Sequence, residues 1–243
     1  MADLYDTIGL NYADLRKPDH RIAEKIDLAL GNATKVLNVG AGAGSYEPTH
    51  RTITAVEPSI EMIKQRPQSD AIVIQDSAES LPFGEKEFDA SMAVLTMHHW
   101  SDQERGVKEM LRVTDGPVVI LTFDPCAEWF WLADYFPALA ELDRRQMPQI
   151  TKFEEWFSEL QVTAVPTPGN CSDGFLAAYW KRPEAYLDAR VRVAISSFHL
   201  IGDISDGIAN LDRDLSNGQW HRRYGHLLDL DELDCGYRLI VGR

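Results

Sequence analysis

Three glycines at alternate positions follow a short apolar run in the segment LNVGAGAGSYEP, residues 37–48. Glycine permits positive φ and puts no side chain between the backbone and a ligand. Where such a loop joins a strand to a helix, unpaired backbone N–H groups also point at the ligand. Gly40, Gly42 and Gly44 therefore predict a backbone that a ligand approaches closely, with a tightly packed turn as the alternative. Ser45 stands where the dinucleotide fingerprint G-x-G-x-x-G needs its third glycine, which disfavours a nicotinamide dehydrogenase.

Two acidic residues follow the next two apolar runs of the chain. A carboxylate offers two oxygens with about four lone-pair directions, so Glu57 could accept hydrogen bonds from both ribose hydroxyls of an adenosine. Asp76 is a candidate acceptor for the exocyclic amine of adenine, and Ser77 and Ala78 beside it would supply backbone groups and small walls. The glycine loop and Glu57 together predict a nucleoside site.

Apolar, β-branched runs alternate with polar, helix-compatible stretches from residue 35 to about residue 125. This alternation predicts repeated strand–helix units and a parallel sheet covered on both faces. Ahead of it, residues 22–30 have helical spacing and stop at Gly31, which predicts a helix with a C-terminal glycine. After the fourth strand, Ser101 and Glu104 have the spacing of a capping box and predict the start of another helix.

The second half of the chain is less regular and rich in aromatic residues. Helical patterns fill about residues 125–160, VTAVPTP reads as a short strand, and GYRLIVGR reads as the final strand. The roughly 65 residues between these two strands exceed an ordinary connection, so we predict a helical cap over the ligand edge of the sheet. The predicted organisation is an N-terminal lid and helix (1–33), a core (34–168, with a helical excursion at about 125–160), the cap (169–232) and the final core strand (233–243).

A set of motifs occurs in the order and spacing of a known family: VLNVGAGAGSY, AVEPS, DSAESLPFGEKEFD, VLTMHHW and a helix that ends in EMLRV. Over about residues 34–124 the chain resembles the class I S-adenosylmethionine-dependent methyltransferases, in particular the small-molecule branch with a type 11 methyltransferase domain. The resemblance implies an α/β fold, with a Rossmann-like, doubly wound, mostly parallel seven-stranded sheet whose last strand is antiparallel. It also implies S-adenosylmethionine as the cofactor and S-adenosylhomocysteine as its product.

The resemblance further implies where the cofactor lies. In that family the glycine loop passes under the methionine and ribose parts, the second-strand acid binds the ribose, and the third-strand acid lies near adenine. Residues after the fourth strand lie near the sulfonium and the acceptor. The implied cofactor-binding residues are Gly40, Ala41, Gly42, Gly44, Glu57, Pro58, Asp76, Ser77, Ala78, Leu95, Thr96, Met97 and His98, with Ile60 and Met62 as apolar neighbours.

The N-terminal part of the chain is also expected to contribute to the cofactor site. Similar proteins use an N-terminal lid in which a Tyr and an Arg reach the cofactor's carboxylate, and this role maps onto Tyr5, Tyr12 and Arg16. Arg suits a carboxylate because its planar fork pairs with both oxygens, although an ordinary solvated helix face is the alternative. Asn38 departs from the family, which more often has Asp or Glu there. An Asn can order the loop or bind the cofactor's amine, but it lacks the charge.

Methyl transfer makes modest demands on the protein, because the sulfonium carries the reactivity and a general base is optional. Where the acceptor must lose a proton, His98 or His99 is a candidate base, and Tyr179 is a third candidate catalytic residue. Aromatic faces attract a sulfonium, and packing in the core is the alternative for each aromatic residue. The candidates for an apolar substrate pocket are Trp129, Trp131 and Trp180, with Arg192, Ser196, Ser197 and His199 as unranked cap residues.

Three functions are compatible with such a cofactor site. The first is methyl transfer to an O, N or C atom of a small molecule. The second uses S-adenosylmethionine itself as substrate, so that its amine attacks a side-chain carbon, closes a ring and releases methylthioadenosine. The third is a regulatory protein that binds the cofactor without turnover. A dense aromatic cap with little room for an acceptor would favour the second function, and a wide second pocket would disfavour it.

The amino-acid composition and net charge exclude several classes of binding partner. Its 243 residues, 44% hydrophobic and 26% charged, fit a folded domain, and its three widely spaced cysteines predict neither disulfides nor a metal site. A net charge of −14 would repel a phosphate backbone, so we expect no nucleic-acid partner. The opening MADLYDTIGL lacks a signal-peptide pattern and no window approaches a membrane span. We therefore expect a cytoplasmic protein without a membrane partner, and monomer or homodimer stays open.

Overall fold

The computed structural model describes residues 16–243, so the predictions for Tyr5 and Tyr12 lie outside the described residues. The strands are β1 (Lys35–Val39), β2 (Thr52–Val56), β3 (Ile72–Ile74), β4 (Ala90–Val94), β5 (Val118–Phe123), β6 (Leu160–Ala164), β7 (Thr167–Pro168), β8 (Glu232–Leu233) and β9 (Tyr237–Gly242). The α-helices are α1 (His20–Ala29), α2 (Ile60–Lys64), α3 (Gln103–Val113), α4 (Leu132–Tyr135), α5 (Pro137–Gln146), α6 (Ile150–Trp156), α7 (Ala189–Val193), α8 (Ser196–Leu200), α9 (Ser205–Ser216) and α10 (Gln219–Tyr224). Short 3-10 helices cover Met97–His99, Pro183–Leu187 and Gly225–Asp229.

A sheet of seven strands forms the centre of the fold, in the order β3-β2-β1-β4-β5-β9-β6. The neighbours from β3 to β5 pair in parallel, whereas β9 runs antiparallel to both β5 and β6. The strand order reverses between β1 and β4, so the carboxyl ends of these two strands lie side by side where ligands bind in open α/β sheets. The predicted doubly wound, mostly parallel sheet with an antiparallel last strand is confirmed.

Both faces of the sheet are covered, as the apolar runs predict, but the repeated strand–helix units are incomplete because turns without a helix connect β1 to β2 and β3 to β4. In β5 every residue is buried, and successive side chains point to opposite faces. Val119 and Leu121 pack in the cluster that includes Ile22 and Ile26 of α1, while Ile120 packs in the opposite cluster with residues of α3 and α6. Within residues 16–243, none of the helices combines the length and the apolar character that crossing a membrane requires.

Helix α1 begins and ends where its sequence signals predict. The Asp19 carboxylate caps the first turn by accepting the Arg21 N–H at 3.1 Å. Gly31 follows the last turn with φ +60°, a conformation that glycine adopts without strain. The Arg51 guanidinium then ties this end of the helix to β2, because it donates to Asp27 Oδ1 at 2.8 Å and to the Gly31 carbonyl at 2.9 Å.

The start of helix α3 differs from the predicted capping box. The N-cap is Asp102, whose carboxylate accepts the Arg105 N–H at 3.0 Å. Ser101 cannot cap the helix because Glu79 holds it: Glu79 Oε1 accepts the Ser101 hydroxyl at 2.8 Å and its N–H at 2.7 Å. Glu104 instead pairs with Lys108 on the helix surface. The helix itself is confirmed, with its cap one residue later than the capping-box pattern indicates.

The predicted insertion lies between β6 and β9. The two-stranded pairing of β7 with β8 closes its base, and helices α7 to α10 fill it. Its apolar cluster includes Tyr186, Leu211 and Trp220 from the insertion together with Trp131 and Leu139 from the helical excursion after β5. The excursion and the cap therefore share one core beside the sheet.

Candidate active site

A cavity of about 270 Å³ opens at the carboxyl ends of β1, β2 and β4. Its walls are the glycine loop after β1, the loop after β2, the segment after β3 and the turn that follows β4. Most of the predicted cofactor-binding residues meet here. Those that line the cavity are Arg16, Asn38, Gly40, Ala41, Gly42, Glu57, Pro58, Met62, Ser77, Ala78, Leu95 and Thr96.

The glycine loop needs glycine for its conformation and, at one position, for space. Gly40, Gly42 and Gly44 have φ of +67°, +53° and +86°, values that residues with a Cβ rarely adopt. A Cβ on Gly40 would lie only 2.1 Å from Thr96 Oγ1 at the end of β4. The loop therefore packs closely against the neighbouring strand while it presents backbone to the cavity, as the sequence predicts.

The Glu57 carboxylate joins the glycine loop after β1 to the loop after β2. Its Oε2 accepts the Gly42 N–H at 2.8 Å, and its Oε1 accepts the Ser59 N–H at 2.9 Å. Only 7% of the residue is exposed, and this burial raises the carboxyl pKa above its usual range against the opposing effect of the two amides and of Arg66. Each oxygen keeps a second lone-pair direction, so Glu57 is built to accept further hydrogen bonds from a ligand in the cavity.

Asn38, where the sequence departs from the family pattern, orders the glycine loop through a chain of polar contacts. Its Nδ2 donates to Glu47 Oε1 at 2.9 Å, and Glu47 Oε2 pairs with Arg66 Nη2 at 2.6 Å. Arg66 Nη1 then donates to the Gly42 carbonyl at 3.3 Å. Glu47 thus supplies, nine positions further along, the negative charge that Asn38 lacks.

The far end of the cavity is polar and rests on the segment after β3. Ser77 and Ala78 line it as predicted, together with Glu79 and Ser101. Burial opposes ionisation of Glu79, but hydrogen bonds from Ser101 and Asp102 outweigh it and hold the Glu79 pKa below its usual range. Asp76, the predicted acceptor for adenine, does not line this cavity. Its Oδ1 instead accepts a hydrogen bond from the backbone N–H of the next residue, Ser77, at 2.8 Å.

Arg16 reaches the opposite end of the cavity. Its Nε donates to Asp173 Oδ1 at 2.6 Å, and the same carboxylate accepts the Tyr46 hydroxyl at 2.8 Å through Oδ2. Burial and the nearby Asp173 raise the Tyr46 pKa well above its ordinary value, so its hydroxyl stays a donor. Asp173 is 1% exposed. This buried pair fixes the guanidinium of Arg16 against the glycine loop and the cap.

A second cavity, of about 70 Å³, adjoins the first and lies under the cap. It is narrow, so its size does not disfavour cyclisation of the cofactor. Arg16 and Leu95 line both cavities. Leu95 has φ +52°, which is rare for a bulky residue and marks a strained backbone of the kind found at functional sites. The remaining lining of the second cavity is a mixture of apolar and polar residues and consists of His98, Phe123, Asp143, Met147, Phe175, Leu176, Ile195, Ser196, Ser197 and Tyr237.

The two candidate catalytic histidines face different cavities. They belong to the 3-10 turn Met97–His99, and their ring centroids lie 3.8 Å apart. His98 lines the second cavity, where its Nδ1 is buried without a hydrogen-bond partner among the described residues, and His99 lines the first. Burial, reinforced by Arg16, lowers the pKa of His98 to about 4, and burial lowers that of His99 further. Both rings are therefore neutral at pH 7, and the same burial makes them weak bases, which argues against the predicted role of either histidine as a general base.

The predicted tryptophans and Tyr179 pack in the apolar clusters of the sheet and of the cap, and they line neither of the two cavities. Trp131 Nε1 donates to the Trp180 carbonyl at 2.7 Å, and Trp180 Nε1 donates to the Thr167 carbonyl at 2.9 Å. Trp129 packs edge-on against Phe123 at 5.5 Å between ring centroids. The ring of Tyr179 lies beneath the Arg182 guanidinium at 4.8 Å. The contacts of these aromatic residues are those of a packed core.

Sequence reasoning missed several residues of the site. Tyr46 and Glu79 lie within the motifs VLNVGAGAGSY and DSAESLPFGEKEFD, and that position was the available signal. Asp173 and Asp143 had no such signal, because each is far in sequence from the partners or the cavity that it meets in the fold. Among residues 16–243, no group of three or more His, Cys, Asp or Glu side chains is arranged to hold a metal ion.

The fold and the first cavity define a Rossmann-like protein that binds a nucleoside cofactor. The backbone cradle at Gly40 and the buried acceptor Glu57 fit a ribose with two neighbouring hydroxyls, and the acidic far end at Glu79 fits hydrogen-bond donors of a base. Residues 37–120 match the family model described as a methyltransferase domain.

A comparison with known proteins identifies the family to which this chain belongs. A solved structure from Anabaena variabilis, provisionally named a methyltransferase from an antibiotic biosynthesis pathway, superposes with a TM-score of 0.87 at 36% identity. The match covers 94% of this chain and 99% of that one. The chain therefore belongs to the S-adenosylmethionine-dependent methyltransferases of class I, and S-adenosylmethionine is the cofactor of these enzymes.

Two curated relatives are more distant. A chloroplastic 2-methyl-6-phytyl-1,4-hydroquinone methyltransferase of Oryza sativa is 25% identical over 171 residues, which cover 64% of this chain and 51% of the relative. A demethylmenaquinone methyltransferase of Paenarthrobacter aurescens is 25% identical over 237 residues, which cover 83% of this chain and 92% of the relative. The chain thus spans about half the length of the first of these relatives.

Replacing Gly40 by Ala tests the close packing of the glycine loop. Gly40→Ala combines positive φ with a clash against Thr96, so we expect a loss of about 2 to 5 kcal/mol in the free energy of unfolding. Gly31→Ala is the matched control, because Gly31 has a similar φ but nothing within 4 Å of an added Cβ; its expected loss is about 1 kcal/mol. Denaturant titration measures both, and equal losses would contradict the packing described.

The lowered pKa of His98 predicts a specific acid sensitivity. Below the ordinary pKa of about 6.5 the unfolded chain binds a proton that the folded protein refuses until about pH 4, so stability is lost as pH falls through this window. In His98→Asn the loss of folding stability across this pH window should be smaller by on the order of 2 kcal/mol. The loss that comes from His99 should remain. Thermal unfolding between pH 7 and pH 4 tests this, with the exposed His226→Asn as control. An unchanged pH dependence in His98→Asn would show that the ring is not desolvated.

Proposed function

We propose that the protein transfers the methyl group of S-adenosylmethionine to a small-molecule acceptor. The observation that carries this proposal is the pair of adjoining cavities that share Leu95 and Arg16. The first has the polar groups that a nucleoside needs, and the second combines aromatic rings with a few polar side chains, as a site for an organic acceptor does. A methyl donor in the first cavity could thus face an acceptor in the second across Leu95.

The roles of the chain's residues follow from positioning. Glu57 would accept the ribose hydroxyls, the Gly40–Gly42 backbone would pass beneath the cofactor, and Arg16 would lie near its carboxylate. The bound cofactor supplies an electrophilic methyl group on a sulfonium. The protein's contribution is to hold donor and acceptor in line and to exclude water, which accounts for much of the lowering of the barrier in such reactions. The neutral rings of His98 and His99 line the two cavities and would help to exclude water, whereas their lowered pKa values make them weak bases.

The names of the curated relatives support a ring-bearing acceptor. Those relatives act on a phytyl-substituted hydroquinone and on demethylmenaquinone by name. The second cavity is lined by Phe123, Phe175 and Tyr237, whose rings meet edge to face at 4.8 to 5.6 Å between centroids. Flat aromatic groups pack favourably against such edges and faces. The proposed acceptor is therefore a small molecule with an aromatic or quinone-type ring.

Glu57→Ala tests the cofactor site. Losing hydrogen bonds to a buried charged acceptor costs about 1 to 3 kcal/mol, so S-adenosylmethionine should bind roughly 5- to 150-fold more weakly. Titration calorimetry measures the affinity, and Glu61→Ala, a surface glutamate paired with Lys64, is the matched control. Equal affinities for Glu57→Ala and the unaltered protein would exclude the ribose role of Glu57.

Product analysis separates methyl transfer from ring closure of the cofactor. The purified protein is incubated with S-adenosylmethionine, with and without hydroquinone and related phenols, and the products are resolved by mass spectrometry. We expect S-adenosylhomocysteine to form only when an acceptor is present. Methylthioadenosine above the level seen with Glu57→Ala, which corrects for spontaneous breakdown, would contradict methyl transfer and favour cyclisation.

A further inference from the structure

The second cavity contains a buried acid that the cofactor site does not use. Asp143 lies on α5, lines this cavity and is 5% exposed. Within residues 16–243 its carboxylate makes no hydrogen bond or ion pair. Burial alone raises the Asp143 pKa to about 7. A carboxylate in this setting destabilises the fold when it is ionised, so its presence calls for a role that an apolar residue could not fill.

The groups around Asp143 leave its carboxylate without a compensating charge. Arg16, His98 and Tyr237 line the same cavity, but Arg16 is paired with Asp173 and the ring of His98 is neutral at pH 7. Burial and the neighbouring Asp143 both raise the pKa of Tyr237 well above its ordinary value, so Tyr237 is also neutral. The other titratable side chains on α5 and on the helices packed against it are directed to solvent or paired: Asp134, Tyr135, Glu141, Arg144, Arg145 and His199.

The charges at the cavity favour a neutral hydroxyl over an ammonium group as the partner of Asp143. The Arg16 guanidinium is already paired with Asp173, so the charge that decides the choice is the cationic sulfonium proposed beyond Leu95, which would repel an ammonium group. A hydroxyl carries no charge on entry, and a phenolic hydroxyl is acidic enough to lose its proton to a strong acceptor. The aromatic lining then suits the ring that bears this hydroxyl.

We propose that Asp143 binds the hydroxyl of a phenol-type acceptor in the second cavity and accepts its proton during methyl transfer. This inference rests on the proposed function and names its substrate class. The O–H bond breaks as the proton passes to the carboxylate, which becomes a neutral carboxyl, and the bond pair stays on the phenolate oxygen. The phenolate electrons form the new bond to the methyl carbon as the carbon–sulfur bond breaks, and sulfur keeps that pair as S-adenosylhomocysteine. Charge and protons balance without any further reactant.

A comparison of two isosteric probes tests the contact between Asp143 and the hydroxyl. Phenol and toluene differ only by O–H against CH₃, and their affinities are measured by NMR titration with S-adenosylhomocysteine present and absent. In Asp143→Leu the ratio of phenol to toluene affinity should fall about tenfold, as expected for a lost hydrogen bond to a charged group. Asp214→Asn, a buried aspartate of the cap that Tyr135 contacts, should leave the ratio unchanged.

The pH dependence of phenol binding tests whether the ionised carboxylate is the acceptor. Binding to the unaltered protein should strengthen between pH 6 and pH 8, as Asp143 loses its proton near pH 7, and binding to Asp143→Asn should be flat. His98 titrates below this range. Folding is checked separately. Ionised, buried Asp143 destabilises the fold, this destabilisation is fully present above pH 7, and Asp143→Asn removes it. Its Tm should exceed that of the unaltered protein by several degrees at pH 8 and approach it near pH 4.

Three results would overturn the role of Asp143. They are an unchanged phenol-to-toluene ratio in Asp143→Leu, tighter binding of benzylamine than of phenol to the unaltered protein, and no saturable phenol binding at all. Failure to bind S-adenosylhomocysteine is a different result. It would contradict the proposed function, while the phenol measurements without S-adenosylhomocysteine would still report on Asp143.

Discussion

The two hydrogen bonds that Glu57 accepts from Gly42 and Ser59 hold the first cavity together. They join the loop after β1 to the loop after β2, and they fix the direction in which the Gly42 amide points. That direction requires positive φ in the loop, and the loop can lie so close to Thr96 only because Gly40 has no side chain. The chain from Asn38 through Glu47 to Arg66 supports the same loop from its other side. The walls of the first cavity are therefore joined by one connected set of polar contacts.

The two cavities differ in the groups that they present to a bound molecule. The first presents acceptors and backbone, and the second presents aromatic rings with one buried acid. The strained backbone of Leu95 and the Asp173-bound guanidinium of Arg16 lie where they meet. Burial beside the second cavity raises the energy of an unpaired charge, which is why Asp143 and His98 both hold their neutral forms over a wider pH range than they would in water. Of the two, Asp143 has the pKa near neutral pH that suits proton exchange with a bound molecule.

The sequence predicts the sheet and the cofactor side of the site because both depend on local patterns. Apolar runs reveal the strands, alternate glycines reveal the loop, and Glu57 follows directly from its place after β2. The Ser101 cap prediction was wrong because Glu79, distant in sequence, competes for that residue. Asp143 and Asp173 escaped notice because their settings arise from tertiary packing of the cap. The roles given to Trp131, Trp180 and Tyr179 stay predictions, and the observed contacts of these residues are those of packing.

A crystal structure of the protein with S-adenosylhomocysteine bound tests the central claim most directly. The account predicts that both ribose hydroxyls donate to Glu57, that the base lies toward Ser77 and Glu79, and that the sulfur faces the second cavity beside Leu95. A ribose bound away from Glu57, or a sulfur that points away from the second cavity, would contradict the account.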